Sequence, residues 1–307
     1  EEVDNHKYSM EESEIGYKNF CVVEVFIESI EWLYLAARGH RRAYFALKNS
    51  SVGDEIKRQA EAVHKSLIPL GPNHHPLLFF LIKNAEAAGY QNIYLITSPK
   101  NESFHIQIEK WNEHKIFTNT NIRFALQHVP ESREKPMGTA DAIQQALEQY
   151  PELIKTTFTV CNGDNLYSTH VLNMLRSTRK ASHALISYAR SGLVFSDERI
   201  SKFAVMDIDS ENYLKNIIEK PDPLDVERYK DASNEIRVSM NIFSFNGAYL
   251  YPFLKNCPIH PERNEKELPE AVRLMNGSMP KNIICLPVSE HLPDLTSAED
   301  ILKFTEG

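Results

Sequence analysis

Asn162-Gly163-Asp164 follows a short apolar run, Thr157–Cys161, and is the most chemically suggestive tripeptide in the chain. A carboxylate at the carboxyl end of a buried strand sits where α/β proteins bind their ligands. Its hard oxygens suit Mg2+, which also takes phosphate oxygens. Asn-Gly-Asp is equally good turn chemistry, so the tripeptide by itself does not separate a ligand from a bend. Asp294 stands in Pro293-Asp294-Leu295-Thr296, where Thr296 and Glu299 also fit a helix capping box. Lys65 lies in His64-Lys65-Ser66-Leu67-Ile68-Pro69-Leu70, an apolar setting for a cation. Gly138-Thr139-Ala140 opens a helical pattern, and its glycine allows close backbone approach beside free helix N–H groups. Glu219-Lys220-Pro221 ends a strand-like run, and Arg38, His40, Arg41 and Arg42 surround Gly39 in a basic turn.

In this order and spacing, the segments Lys65–Leu70, Met137–Ala142, Val160–Asn165, Glu219–Pro221 and Pro293–Thr296 resemble the motifs of the sugar-1-phosphate nucleotidyltransferases. The resemblance runs roughly from Trp32 to the C-terminus. It implies an enzyme that joins a nucleoside triphosphate to a sugar 1-phosphate and releases pyrophosphate with Mg2+. It also implies an α/β, Rossmann-like (GT-A-like) fold with a mostly parallel central sheet flanked by helices and a strand-rich sugar-binding half. Carried over position by position, Asp164 and Asp294 would share the Mg2+. Lys65 and Arg42 would contact phosphates, with Gly39 in the loop that wraps them. Gln127, Gly138 and Thr139 would touch the nucleobase, Glu219 the sugar hydroxyls and Lys220 the sugar phosphate. The chain departs from the family at His64, where a proline is usual, and at Ala204, where a glycine is usual. Arg38 and His40 stand at the two glycines of the first loop.

The bulk numbers allow this class. The 307 residues suffice for one large domain or two small ones, and an apolar fraction of 42% with 25% charged is that of an ordinary globular protein. A net charge of −8 argues against nucleic-acid binding, which needs a basic surface. It leaves room for anionic small ligands held by a few aimed cations and N–H groups. Cys21, Cys161, Cys257 and Cys285 are far apart without CxxC spacing, which reads as free thiols in a cytoplasmic, reducing setting. Cys21–Ala37 is interrupted by Glu24, Glu28 and Glu31 and lacks a preceding basic region, so neither a membrane span nor a signal peptide is expected.

The motifs need elements to hold them. Trp32–Ala37 reads as a buried strand, Asp54–Val63 as a helix, and Pro76–Ala88 as a helix closed by Gly89. Strands at Asn92–Thr97, Ile122–His128 and Thr157–Asn162 alternate with helices at Glu102–Asn112, Gly138–Gln149 and His170–Ser177. Such alternation implies a mostly parallel sheet covered on both faces. Strand-like runs dominate from Ala184 to Phe245, and a closing helix is expected at Ala298–Phe304. The expected organisation is an extension over residues 1–30 and a nucleotidyltransferase domain over 31–307. Its nucleotide-binding half is 31–180 and its sugar-phosphate half 181–307. The oligomeric state is open. Two alternatives also stay open: a non-catalytic or regulatory member of the same fold, and a metal-dependent glycosyltransferase. The second usually carries an Asp-x-Asp pair, which Asn162-Gly163-Asp164 lacks.

Overall fold

The computed structural model describes residues 29–34, 41–46, 65–67, 69–70, 75–133, 135–219, 221–222 and 224–293. The chain divides into two compact units, Glu1–Ala62 and Val63–Gly307. In the first, β1 (Ser29–Tyr34) pairs antiparallel with β2 (Arg41–Ala46), with Leu33 opposite Arg42. The helix expected at Asp54–Val63 and the one at Ala298–Phe304 lie outside the described residues.

The second unit opens with a 3-10 turn at Lys65–Leu67 and the short antiparallel pair β3 (Pro69–Leu70) and β4 (His75–Pro76). Helix α1 (Leu77–Ala87) follows Pro76, as proline at a helix start allows, and buries Leu77, Leu78, Leu81 and Ile82. Strands β5 (Asn92–Thr97) and β6 (Asn121–Leu126) pair in parallel across α2 (Glu102–Glu113). Phe104, Ile108 and Trp111 of α2 pack with Phe79 and Ile82 of α1 into one apolar cluster. Helix α3 (Thr139–Gln149) then leads to β7 (Thr157–Cys161), and α4 (Thr169–Arg176) is capped by Ser168, whose hydroxyl accepts the Val171 N–H.

The remaining strands are β8 (His183–Ala189), β9 (Val205–Ile208), β10 (Leu214–Ile218), β11 (Arg237–Asn246) and β12 (Ile283–Val288). Between them lie the one-turn α5 (Asp197–Ile200), then α6 (Gly247–Lys255) and α7 (Leu268–Ser278). The α/β architecture is the expected one, and its pairing is mixed where alternation had implied a mostly parallel sheet. β5 with β6 and β8 with β12 are parallel. The ten-residue β11 runs antiparallel to β7, β8 and β9. It lies between β8 on one edge and β7 followed by β9 on the other, so it converts the sheet's centre. Every residue of β8 is buried. Ala184, Ile186 and Tyr188 face one core with Val171, Leu172 and Leu175 of α4, while Leu185 faces a second core with α3, α6 and α7. A strand covered on both faces needs no polar alternation, which explains its apolar run.

Candidate functional site

The carboxyl end of β7 is where separate parts of the second unit meet. Asn162-Gly163-Asp164 forms the turn after the strand, and Asp164 is half-buried. A β-carbon built on Gly163 would lie 3.7 Å from the Ser66 hydroxyl, so the Lys65–Leu67 turn abuts this loop. Ser66 itself is buried. From the other end of the chain, the Pro293 carbonyl accepts the Leu166 N–H at 2.8 Å, and the Ser168 hydroxyl donates to the Glu290 carboxylate at 2.6 Å. Leu292 between them is fully buried. The chain entering Asp294 is therefore tied within three residues of Asp164. Asp294, Lys220, Arg38, Gly39 and His40 lie outside the described residues, and of Arg42 the structure describes its place in β2.

Burial, and then the nearby Asp164 carboxylate, push the Cys161 thiol up to about 12. A thiol so held stays protonated near neutral pH and is no nucleophile here. Tyr167 beyond the turn is fully buried and donates its hydroxyl to the Met240 carbonyl at 2.6 Å, stapling the loop to β11.

Beside this loop runs a cleft of about 1310 Å3 between Tyr90–Ser98 and Thr156–Asp164. Among the described residues β5 pairs with β6 and β7 with β11. Gln127, Ser66 and Asp164 line the same cleft. The ends of β5, β6 and β7 thus open on one space.

Gly138 has φ 105° and ψ −178°, a conformation essentially restricted to glycine. Its missing side chain lets the Lys266 carbonyl approach to 2.4 Å from where a β-carbon would be. That carbonyl accepts the Ala140 N–H at 3.0 Å, and the Leu268 N–H donates to the Thr139 hydroxyl at 3.0 Å. The sequence pattern had suggested free N–H groups at this helix start. The Ala140 N–H is instead spent on the segment before α7, because two helix ends are docked on each other.

Gln127 stands one residue beyond β6. Its amide nitrogen donates to the Gly138 carbonyl at 3.0 Å and to Asp141 Oδ2 at 2.9 Å. Gln145 and Gln149, further along α3, each exchange two hydrogen bonds with the backbone of His128 and Leu126 respectively, acting as a surrogate strand for β6. Sequence reasoning missed Asp141 and these glutamines. Their signal was available: positions 141, 145 and 149 repeat every four residues, one polar stripe on a helix whose apolar stripe is Ile143, Ala146 and Leu147.

Glu219 is exposed and follows β10 directly. Pairing puts Ile218, Val205, Val238, Tyr188 and Val288 in one row across the sheet. Glu219 lies just past that row, on the outer strand of the sheet, and outside the cleft lining. Among the described residues no three His, Cys, Asp or Glu side chains converge as an all-protein metal cage. No helix of the described residues is long and apolar enough to cross a membrane.

Over 170 residues the chain is 26% identical to glucose-1-phosphate adenylyltransferase 1 of Vibrio cholerae, covering 55% of this chain and 41% of that protein. Over 177 residues it is 27% identical to glucose-1-phosphate adenylyltransferase of Koribacter versatilis, covering 56% and 41%. The chain thus spans less than half the length of these relatives. Its fold is like that of UDP-glucose pyrophosphorylase complexed with UDP-glucose, with TM-score 0.59 and 18% identity over 79% of this chain and 89% of that one. It is also like a protein described as a glucose-1-phosphate thymidylyltransferase of Bacillus anthracis, with TM-score 0.59 and 14% identity over 80% and 86%. Residues 60–282 match the family model for nucleotidyl transferases. Since that match takes in well over half of its length, the chain belongs to the nucleotidyl transferase family.

Proposed function

We propose that this protein transfers a nucleotidyl group from a nucleoside triphosphate to a sugar 1-phosphate. A phosphate oxygen of the sugar attacks the α-phosphorus, the bond to the bridging oxygen breaks, and pyrophosphate leaves. The carrying observation is the convergence at the end of β7. Ser66 abuts Gly163, and Pro293 is bonded to Leu166. Three segments remote in sequence, those of Lys65, Asp164 and Asp294, are brought to one loop. The names of the relatives support the substrate class, and the convergence at this loop supports the site.

Several negative charges must meet in this reaction, so cations have to be aimed at them. Lys65 is the residue assigned to the α-phosphate, and Gln127 with the Gly138 turn to the base. Glu219 is assigned to the sugar hydroxyls and Lys220 to the sugar phosphate. Mg2+ is held in proteins by one or two carboxylates plus substrate phosphates rather than by a full protein cage. Asp164 in a half-buried turn, with the chain to Asp294 tied beside it, fits that donor set. When bound, the ion would neutralise phosphate charge and align the reacting groups. The described cysteines, Cys161, Cys257 and Cys285, are free thiols, which supports a reducing, cytoplasmic setting.

The test is a screen of nucleoside triphosphates against sugar 1-phosphates with pyrophosphate detection, in wild type and Asp164→Asn. Wild type should release pyrophosphate only with a divalent metal, and the variant should lose most turnover while keeping its fold. Equal turnover in the variant, or turnover in excess chelator, overturns the metal assignment. Nucleotide binding without any pyrophosphate release would favour the non-catalytic reading, which the Arg38 and His40 replacements in the first loop motivate.

A further inference from the structure

We infer that Asp141 is a positioning residue that holds Gln127 as an acceptor-only reader of the nucleobase. The inference rests on the nucleotidyl transfer reading, which puts a base at Gln127, and adds how that base is discriminated.

The orientation of each amide follows from its neighbours. Gln145 Oε1 accepts the His128 N–H at 2.8 Å, and its Nε2 donates to the His128 carbonyl at 3.1 Å. Backbone groups cannot change role, so they fix which end of Gln145 is nitrogen. That nitrogen also donates to Asp141 Oδ2 at 2.9 Å. Asp141 is 7% exposed, in the first turn of α3, where the helix dipole favours a carboxylate. A carboxylate only accepts. Gln127 meets this same oxygen and the Gly138 carbonyl, two acceptors, so its nitrogen must face both. Turning the amide over would set its oxygen against two oxygens.

Both hydrogens of the Gln127 amide are therefore spent. Only Oε1 remains for a ligand in the cleft that Gln127 lines. A free glutamine pairs with adenine through a donor and an acceptor together. Gln127 in this setting offers the acceptor alone, and so selects a base edge that presents an N–H to it without needing a matching donor. Asp141 touches no ligand in this scheme. It acts by keeping Gln127 from presenting its nitrogen.

The experiment measures dissociation constants of ATP, CTP, GTP, UTP and dTTP by calorimetry on the full chain, in wild type, Asp141→Ala and Asp141→Asn. Asparagine keeps an acceptor where Oδ2 lies and alanine does not. Asp141→Ala should shrink the ratio between tightest and weakest nucleotide by about fivefold to tenfold, the worth of one hydrogen bond. Asp141→Asn should restore it. A merely structural Asp141 would lower melting temperature and leave the ratio alone, and that result overturns the inference. Equal loss in both variants also overturns it. Should Asp141→Ala not fold, Gln127→Leu carries the test, and an unchanged ratio there has the same meaning. If wild type binds none of the five nucleotides, the transfer reading falls and this inference with it. If wild type binds them and releases pyrophosphate while Asp141→Ala keeps the full ratio, only the inference falls.

Discussion

Gly138→Ala tests whether the turn before α3 is held by the docking just described. The backbone there has φ 105° and ψ −178°, which costs a residue with a β-carbon about 1–3 kcal/mol. The new methyl would also sit 2.4 Å from the Lys266 carbonyl oxygen, too close to persist. Relief requires the start of α3 to move away from the segment before α7. Two backbone bonds bridge that junction, Ala140 N–H to Lys266 O at 3.0 Å and Lys266 N–H to Met137 O at 2.6 Å. Each is worth about 0.5–1.5 kcal/mol when lost with its partner resolvated. The sum is roughly 2–6 kcal/mol, a large share of the 5–15 kcal/mol typical of a domain. Equilibrium urea unfolding followed by circular dichroism measures it. Thr139→Val is the matched control, because it removes only the acceptor of the Leu268 N–H and should cost about 1 kcal/mol. A Gly138→Ala loss below about 1 kcal/mol would refute the reasoning. It would show that the junction yields without cost and that Gln127 is not held by a fixed Gly138 carbonyl.

Two further outcomes concern the support around the site. Burial works against the Asp231 carboxylate, but hydrogen bonds from Ser233, Arg237 and the Glu235 N–H outweigh it and hold it down at about 2, against an ordinary 3.8. Its stabilisation is complete above the ordinary value and disappears as pH falls from about 4 through about 2, a loss of roughly 2 kcal/mol. Asp231→Asn should lack that part of the acid-induced loss in urea unfolding at stepped pH, and an identical acid profile would count against the Asp231–Arg237 pair at 2.6 Å as its source. Tyr167→Phe removes the hydroxyl that satisfies the buried Met240 carbonyl and should cost about 1–3 kcal/mol by chemical denaturation, whereas no change would mean the loop after β7 is held otherwise.

The mixed sheet shows where local pattern stops being informative. Strand and helix alternation up to Arg176 reads as crossover after crossover, and that part of the reading is sound for β5 and β6. Nothing in the run Arg237–Asn246 says that it enters between β7 and β8. Phe243 pairs with Val160 on one side and Leu185 on the other, partners far away in sequence. Which edges meet is decided by burying both faces of several strands at once, a property of the assembled layers.

Element types and ends were legible because they depend on neighbours within a few turns of chain. The apolar run Asn92–Thr97 coincides with β5, and Glu102–Asn112 with nearly all of α2. The turn Asn162-Gly163-Asp164 was legible for the same reason, since small and polar residues after an apolar strand carry their own bend. The family was legible through several such local segments kept in order. Their meeting was not. That Ser66 lies on Gly163, that Pro293 holds Leu166, and that Asp141 fixes the amide of Gln127 are contacts between residues with no local tie. Hydrogen bonds and packing act over a few ångströms, whereas sequence pattern records only distance along the chain. Only the folded sheet, with its cores on both faces, turns the one into the other.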